Sequence, residues 1–175
     1  MSRAFVKESD ATPDEPDAPP ASAQLPPGVK NYMTADGARR MREELERLAQ
    51  VERPEAARGD PAAAETKRRL QQLDRRIGYL AECLRSAEVL DVASQAMDVV
   101  RFGATVTVRN REGIESTYRI VGVDEIDLAR GWVSWRSPLA ASLMGARAAD
   151  SIVFRSPTRD EQLRVTRIGC PPEDE

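Results

Sequence analysis

Histidine is absent from this 175-residue chain, and cysteine and aromatic residues are scarce. Without an imidazole, no catalytic triad, metal site or proton shuttle built on histidine can form. The two cysteines, Cys83 and Cys170, fall in different predicted domains and lack the spacing of metal ligands, a usage that suits a reducing cytosol. Because Cys83 lies beside Leu84 in an apolar seam, we expect its thiol to be buried or half-buried.

Long apolar runs and an excess of basic charge are also missing. No stretch approaches the roughly eighteen apolar residues of a membrane-spanning helix, and the N-terminus has no hydrophobic signal region. We therefore expect a cytoplasmic protein with no membrane partner. The net charge of −3 argues against sequence-specific binding of duplex DNA, since proteins dedicated to duplex DNA usually carry a strong basic excess.

Residues 1–30 hold six of the twelve prolines, interspersed with Asp, Glu, Ala and Ser. Such a segment cannot bury enough apolar surface to offset the entropy lost on ordering, so it is expected to be disordered. A tail that binds a partner is the alternative interpretation.

The central stretch, residues 31–90, carries apolar residues at alternating spacings of three and four, which is typical of coiled-coil seams. A Gly-Asp-Pro break at residues 59–61 divides this pattern in two. Two seams joined by so short a break can bury each other only by folding back, so the stretch predicts an antiparallel coiled-coil hairpin. The predicted seam positions are Ala38, Met41, Leu45 and Leu48 in the first helix, and Ala63, Leu70, Leu73, Ile77, Leu80, Leu84 and Ala87 in the second.

Capping residues indicate where the two helices begin. Thr34 is a favoured N-cap for the first helix, which Pro54 either ends or kinks. Asp60 suits the N-cap of the second helix, and Pro61 suits its first position.

The second helix also carries five cations within ten residues. Two interpretations stay open: ion pairs across the hairpin with Glu43, Glu44 and Glu46, or a strip facing phosphate or RNA. The five cations are Lys67, Arg68, Arg69, Arg75 and Arg76.

After a predicted linker at residues 91–98, the hydrophobic pattern changes from helical to strand-like. A short helix is predicted between the N-cap pair Ser137-Pro138 and Gly145. With five short strands around it, the segment 99–170 predicts a compact α+β domain whose tryptophans pack rather than bind a ligand. Residues 171–175 are expected to fray. The predicted strands lie at residues 105–108, 118–123, 131–135, 151–154 and 163–168.

Taken in chain order, these features resemble the GreA/GreB family of bacterial transcript-cleavage factors, and GreB-like members in particular. The resemblance covers residues 31–170 in family order, through two dissimilar modules. The matching segments are Glu52-Arg53-Pro54-Glu55, Lys67-Arg68-Arg69-Leu70, Leu73-Asp74-Arg75-Arg76-Ile77, Phe102-Gly103-Ala104, Tyr118-Arg119-Ile120-Val121-Gly122 with Asp124-Glu125, and Ser137-Pro138-Leu139-Ala140 with Leu143 ahead of Asp150.

The resemblance implies that the C-terminal domain is FKBP-like and docks at the rim of the RNA polymerase secondary channel, near Ser137 and Pro138. It also implies that the hairpin enters the channel, where two carboxylates at its tip help hold a second Mg²⁺ for hydrolysis of backtracked RNA. RNA polymerase is then the partner, with the 3′ end of the nascent RNA as a further contact. The factor needs no cofactor and is not itself an enzyme, because the polymerase is the catalyst.

The tip departs from the family's Gly-Asp-x-x-Glu-Asn pattern. Gly59 and Asp60 match, but Ala63 stands where the glutamate belongs and Ala64 replaces the asparagine. The chain between Pro54 and Lys67 is also about a dozen residues shorter than the family pattern. Shared between two arms, that removes about 9 Å of reach at the helical rise. Asp60 is therefore a weak candidate for a metal role, and the chain has no metal site of its own.

Four hypotheses follow. The first is a regulator that binds the secondary channel and stimulates cleavage weakly or not at all. The second is a competitor that occupies the channel and excludes other factors. A prolyl isomerase based on the FKBP-like domain is the third, and a homo-oligomer held through the hairpin seam is the fourth.

Overall fold

The computed structural model describes residues 25–91, 98–155 and 160–169. Most of the segment 1–30, which is predicted to be disordered, lies outside these ranges. Most of the predicted linker and the C-terminal tail also lie outside them. In the described part, a helical N-terminal region is followed by a five-stranded sheet, so the α+β class is confirmed.

The first arm of the hairpin begins as predicted and extends further than expected. Strand β1 (Asn31–Thr34) leads into helix α1 (Ala35–Arg47), and the Thr34 hydroxyl caps the helix by accepting a hydrogen bond from the Gly37 amide at 3.0 Å. A π-helical segment, Leu48–Glu52, then continues into helix α2 (Arg53–Ala56). Pro54 does not end the arm, because it lies just past the π-helical segment and the backbone at Glu52 and Arg53 stays helical.

The second arm, helix α3 (Ala64–Ser86), begins later than predicted. The prediction that Asp60 caps this helix is wrong, because Ala63 occupies the N-cap position with extended backbone and gives no side-chain cap. The Asp60 carboxylate instead accepts a hydrogen bond from the Ala62 amide at 2.8 Å, within the turn. Aspartate favours this local turn, which uses the carboxylate before the helix starts.

The two arms pack antiparallel. Glu44 pairs with Arg76, and Glu52 pairs with Arg69. Residue numbers therefore increase along one arm in the direction in which they decrease along the other. Between the arms lies an apolar seam, whose buried members are Leu48, Leu73 and Leu80. The half-buried residues packed against them are Met41, Leu45, Ala56, Ile77 and Tyr79. Most of the predicted seam is thereby confirmed, although Ala63 lies before the second helix and Ala87 lies after it.

At its base the hairpin is closed by strands that the sequence pattern did not reveal. Strand β2 (Ala87–Leu90) follows α3 directly and pairs in parallel with β1. At the same end of the hairpin, Met33 of β1, Ala38 of α1 and Cys83 of α3 form a second buried cluster. The Cys83 thiol is buried, as predicted.

The C-terminal sheet has the strand order β5-β4-β3-β7-β6. All neighbouring strands are antiparallel except β4 and β5, which are parallel. The predicted five strands and one short helix are confirmed. They are β3 (Thr105–Asn110), β4 (Glu115–Val121), β5 (Trp132–Ser134), helix α4 (Pro138–Leu143), β6 (Ser151–Arg155) and β7 (Asp160–Gly169).

Val106, Val108, Ile120 and Val165 fill the core of the sheet, and Leu143 of α4 packs against them. Across the residues that the structure describes, no helix combines the length and apolarity needed to cross a membrane.

Candidate functional site

The hairpin tip is the first candidate site, and it consists of the turn between α2 and α3. Gly59 lets this turn approach the second arm, because a Cβ at this position would lie 2.9 Å from the Thr66 hydroxyl oxygen. Asp60 is exposed in the middle of this turn. A surface pocket beside it has both acidic and basic walls, which are formed by Glu55, Ala63, Glu65, Arg68 and Arg69 among others.

These tip residues form a poor metal site. Within residues 25–91, 98–155 and 160–169, no group of three or more acidic, cysteine or histidine side chains could hold a metal ion. Ala63 contributes only a methyl group, and Asp60 already hydrogen-bonds the backbone of its own turn. Mg²⁺ requires several oxygen ligands in near-octahedral geometry, which a single exposed carboxylate cannot supply.

Two of the five predicted cations hold the arms of the hairpin together. The Arg76 guanidinium donates two hydrogen bonds to the Glu44 carboxylate, at 2.8 and 2.9 Å, and these bonds raise the pKa of Arg76. Arg69 donates one hydrogen bond to Glu52 at 2.9 Å. Both arginines flank the apolar seam, since residues seven apart share one helix face.

The other three cations are exposed and belong to a different part of the helix surface. At about 100° per residue, Arg68 and Arg75 lie about 140° and 160° around the helix from the seam residue Leu73, and Lys67 lies about 120° from it on the other side. Arg75 donates to the Gln71 carbonyl at 3.4 Å. In the part of the chain that the structure describes, the side chains of Lys67 and Arg68 make no ion pair or hydrogen bond. The interpretation as ion pairs across the hairpin therefore holds for Arg69 and Arg76, and the strip facing phosphate or RNA stays a prediction.

The second candidate site is the start of helix α4. The Ser137 hydroxyl accepts a hydrogen bond from the Ala140 amide at 3.1 Å, which caps the helix as predicted. Pro138 is exposed at the first helical position, whereas Leu143 is buried in the sheet core. After the helix, Gly145 adopts a φ of 84°, as expected for a residue that ends it. The buried side of α4 thus holds Ser137 and Pro138 in a defined position at the surface.

Sequence reasoning missed a cluster of arginines around Trp132. The guanidinium carbons of Arg40, Arg119 and Arg130 lie 4.4, 5.2 and 5.2 Å from the Trp132 ring centroid. Such contacts join a cation to the negative face of an aromatic ring. The three arginines come from separate parts of the chain, so no local sequence pattern could have grouped them.

The chain is similar to known proteins over most of its length. Residues 94–169 match the family model described as "Transcription elongation factor, GreA/GreB, C-term". Transcription elongation factor GreB from Neisseria meningitidis serogroup A / serotype 4A is 39% identical over 153 residues, covering 80% of this chain and 94% of that protein. Transcription elongation factor GreA from Anaeromyxobacter sp. (strain K) is 37% identical over 155 residues, covering 81% and 93%.

A solved structure was also compared, "Prokaryotic transcription elongation factor GreA/GreB from Nitrosomonas europaea". It shares 21% sequence identity with this chain and superposes with a TM-score of 0.38, over 79% of this chain and 98% of that one.

Proposed function

The chain belongs to the GreA/GreB family of transcription elongation factors, and from that premise we propose that it is a cytoplasmic regulator of RNA polymerase. Its sheet domain, residues 99–170, is FKBP-like and docks at the rim of the polymerase secondary channel through the surface that carries Ser137 and Pro138. Its hairpin, residues 31–90, enters the channel. The factor has no catalytic activity of its own and acts through the polymerase.

One observation carries the proposal: the relatedness runs through both modules in the same order, at 39% identity over 153 residues. The hairpin and the start of α4 are both well formed, and each presents exposed residues away from its own core. This combination suits a factor that binds with one module and reaches with the other.

The factor stimulates cleavage of backtracked RNA weakly or not at all. Ala63 stands in place of the second carboxylate, and a turn of only seven residues, 57–63, joins α2 to α3. The remaining carboxylate, on Asp60, is engaged by the Ala62 amide. A bound factor of this kind occupies the channel without completing a metal site at the active centre.

Competition with other secondary-channel factors is the alternative outcome of the same binding. The seam and the ion pairs between the arms hold the hairpin together although its tip lacks the second cleavage carboxylate. Such a hairpin excludes other factors from the channel by occupying it.

The 3′ end of the nascent RNA is a further proposed contact, through exposed cations of the second arm. Lys67, Arg68 and Arg75 are exposed on α3. Arg69 and Arg76 pair with glutamates of the first arm. Exposed cations attract phosphates by charge alone, so this contact would weaken as salt concentration rises.

The proposal is tested by retention of purified core polymerase on the immobilised full-length protein. We expect binding by the wild type, a clear loss in Pro138→Lys, and competition by an established GreA/GreB factor. Ile114→Lys is the matched control, because Ile114 is 58% exposed in the turn between β3 and β4. Absence of binding by the wild type would refute the proposed function. Equal losses in the two variants would refute the docking surface.

A further inference from the structure

The Glu125 carboxylate is buried between the base of the hairpin and the sheet domain, with the residue only 6% exposed. One of its oxygens accepts hydrogen bonds from the Thr34 amide and the Gly122 amide, both at 2.9 Å. Its other oxygen accepts a hydrogen bond from the Thr34 hydroxyl. Three donors therefore hold one carboxylate, and two of them belong to the residue that caps helix α1.

Two glycines leave the space that this carboxylate fills. A Cβ at Gly37, in the first turn of α1, would lie 1.9 Å from one Glu125 oxygen. A Cβ at Gly122 would lie 2.6 Å from the other oxygen and 2.3 Å from the Tyr32 carbonyl oxygen. The negative charge also faces the N-terminus of α1, where the helix dipole favours it.

Other contacts join the same two parts of the molecule around Glu125. The buried Arg119 of β4 donates a hydrogen bond to Asp36 of α1 at 2.9 Å. The Tyr32 ring packs against the Trp135 ring at a centroid distance of 5.6 Å. The Asn31 amide group donates to Asp124 at 3.2 Å. Together these contacts form a joint between the hairpin base and the sheet domain, and within it Glu125 accepts the most hydrogen bonds.

We infer that Glu125 is a positioning residue, which fixes the direction in which the hairpin leaves the sheet domain. The 23 residues of α3 span about 35 Å, so a change of about 10° at the joint moves the tip by about 6 Å. A displacement of that size would misplace the tip inside the polymerase channel. The consequence for the polymerase rests on the proposed function, whereas the effect on the direction of the hairpin does not.

The direction of the hairpin is tested in the free protein by electron–electron double resonance between two spin labels. The labels are placed on exposed positions 58 and 112, with Cys170 replaced by serine and the buried Cys83 retained. We expect a narrow distance distribution in the wild type and a broader or shifted one in Glu125→Gln, because the glutamine amide group would face backbone N–H donors. Glu115→Gln is the matched control, since Glu115 pairs with Arg109 on the sheet surface. Equal distributions in all three proteins would overturn the inference.

Gly37 provides a second test that does not depend on the spin labels. We expect Gly37→Ala to lower the thermal midpoint of the wild type, because the new methyl group meets the carboxylate. In a Glu125→Ala background the same substitution should cause no loss, since the obstructing carboxylate has been removed. An equal drop in both backgrounds would show that Gly37 does not act through Glu125, and would overturn the inference.

A photocrosslinker at position 58 extends the test to the polymerase complex. We expect the wild type to crosslink to one discrete polymerase segment. Glu125→Gln should bind equally well but crosslink diffusely or elsewhere. If both proteins bind and crosslink alike, Glu125 does not position the tip. If neither binds, the proposed function fails, and the spin-label distances still decide the role of Glu125.

Discussion

Arg76 of helix α3 forms a bidentate ion pair with Glu44 of helix α1, and its guanidinium carbon also lies 5.2 Å from the Tyr79 ring centroid. This arrangement fastens the two arms at the edge of their apolar seam. Arg68, eight positions earlier in the sequence, has no such partner among the residues that the structure describes. The two arginines of this helix therefore differ in role: Arg76 links the two arms, whereas Arg68 does not.

Charge reversal separates the two roles. Arg76→Glu should lower the free energy of unfolding, by up to about 1 kcal/mol for the lost pair and by a further repulsion from Glu44. Arg68→Glu should leave stability within about 0.5 kcal/mol of wild type, because its side chain is exposed and unpaired. Urea unfolding measures both. Equal destabilisation would mean that Arg68 also fastens the hairpin.

The apolar seam should account for most of the hairpin's stability. Leu73 is 4% exposed between the arms, so Leu73→Ala should cost about 2–4 kcal/mol through lost burial and the cavity that remains. Gln71→Ala, at an exposed position two residues earlier, should change the free energy of unfolding by less than about 0.5 kcal/mol. Similar costs for the two substitutions in urea unfolding would contradict the assignment of the seam.

Gly78 should be replaceable with a gain in stability. It lies in the interior of α3, and a Cβ at this position would meet no atom within 4 Å. Gly78→Ala should therefore raise the free energy of unfolding by about 0.5–1 kcal/mol, since glycine is a weaker helix former than alanine. A loss of stability in thermal or urea unfolding would contradict this prediction, because it would require a neighbouring group that the added methyl disturbs.

The ion pair between Asp36 and Arg119 should make stability depend on acidity. The hydrogen bond from Arg119 holds the pKa of Asp36 below its usual value of 3.8. A carboxyl with a lowered pKa stabilises the folded state above its unfolded pKa, and this contribution is lost as pH falls through the folded pKa. The stability difference between wild type and Asp36→Asn should hold steady down to about pH 5 and shrink below 3.8. A difference that stays constant down to about pH 2 would show that the pKa is not lowered.

Much of the fold follows from local rules that a sequence displays directly. The Thr34 and Ser137 caps, the turn at Gly145 and the alternating strands depend on residues a few positions apart. The seam was readable for the same reason, since its spacing repeats within each helix. The class could therefore be predicted, and so could the order of the two hairpin arms, the five strands of the C-terminal sheet and helix α4.

The features that escaped prediction depend on residues brought together by the whole fold. Strand β2 exists because the hairpin returns the chain to β1, and its short sequence carries no alternation. Glu125 meets Thr34 only when the sheet domain closes on the hairpin base. The error at Asp60 has another cause, because a turn and a helix cap use the same residue types and the nearby backbone geometry decides between them.

The central claim is that the factor can occupy the secondary channel without supplying the metal ligands for cleavage. The direct test is a transcript-cleavage assay on a backtracked elongation complex, with polymerase binding measured in parallel. We expect binding with little or no stimulation by the wild type, no recovery in Ala63→Glu, and recovery when a full-length family tip replaces the segment between Pro54 and Lys67. Strong stimulation by the unmodified protein, abolished in Asp60→Ala, would contradict the claim and assign Asp60 to the metal.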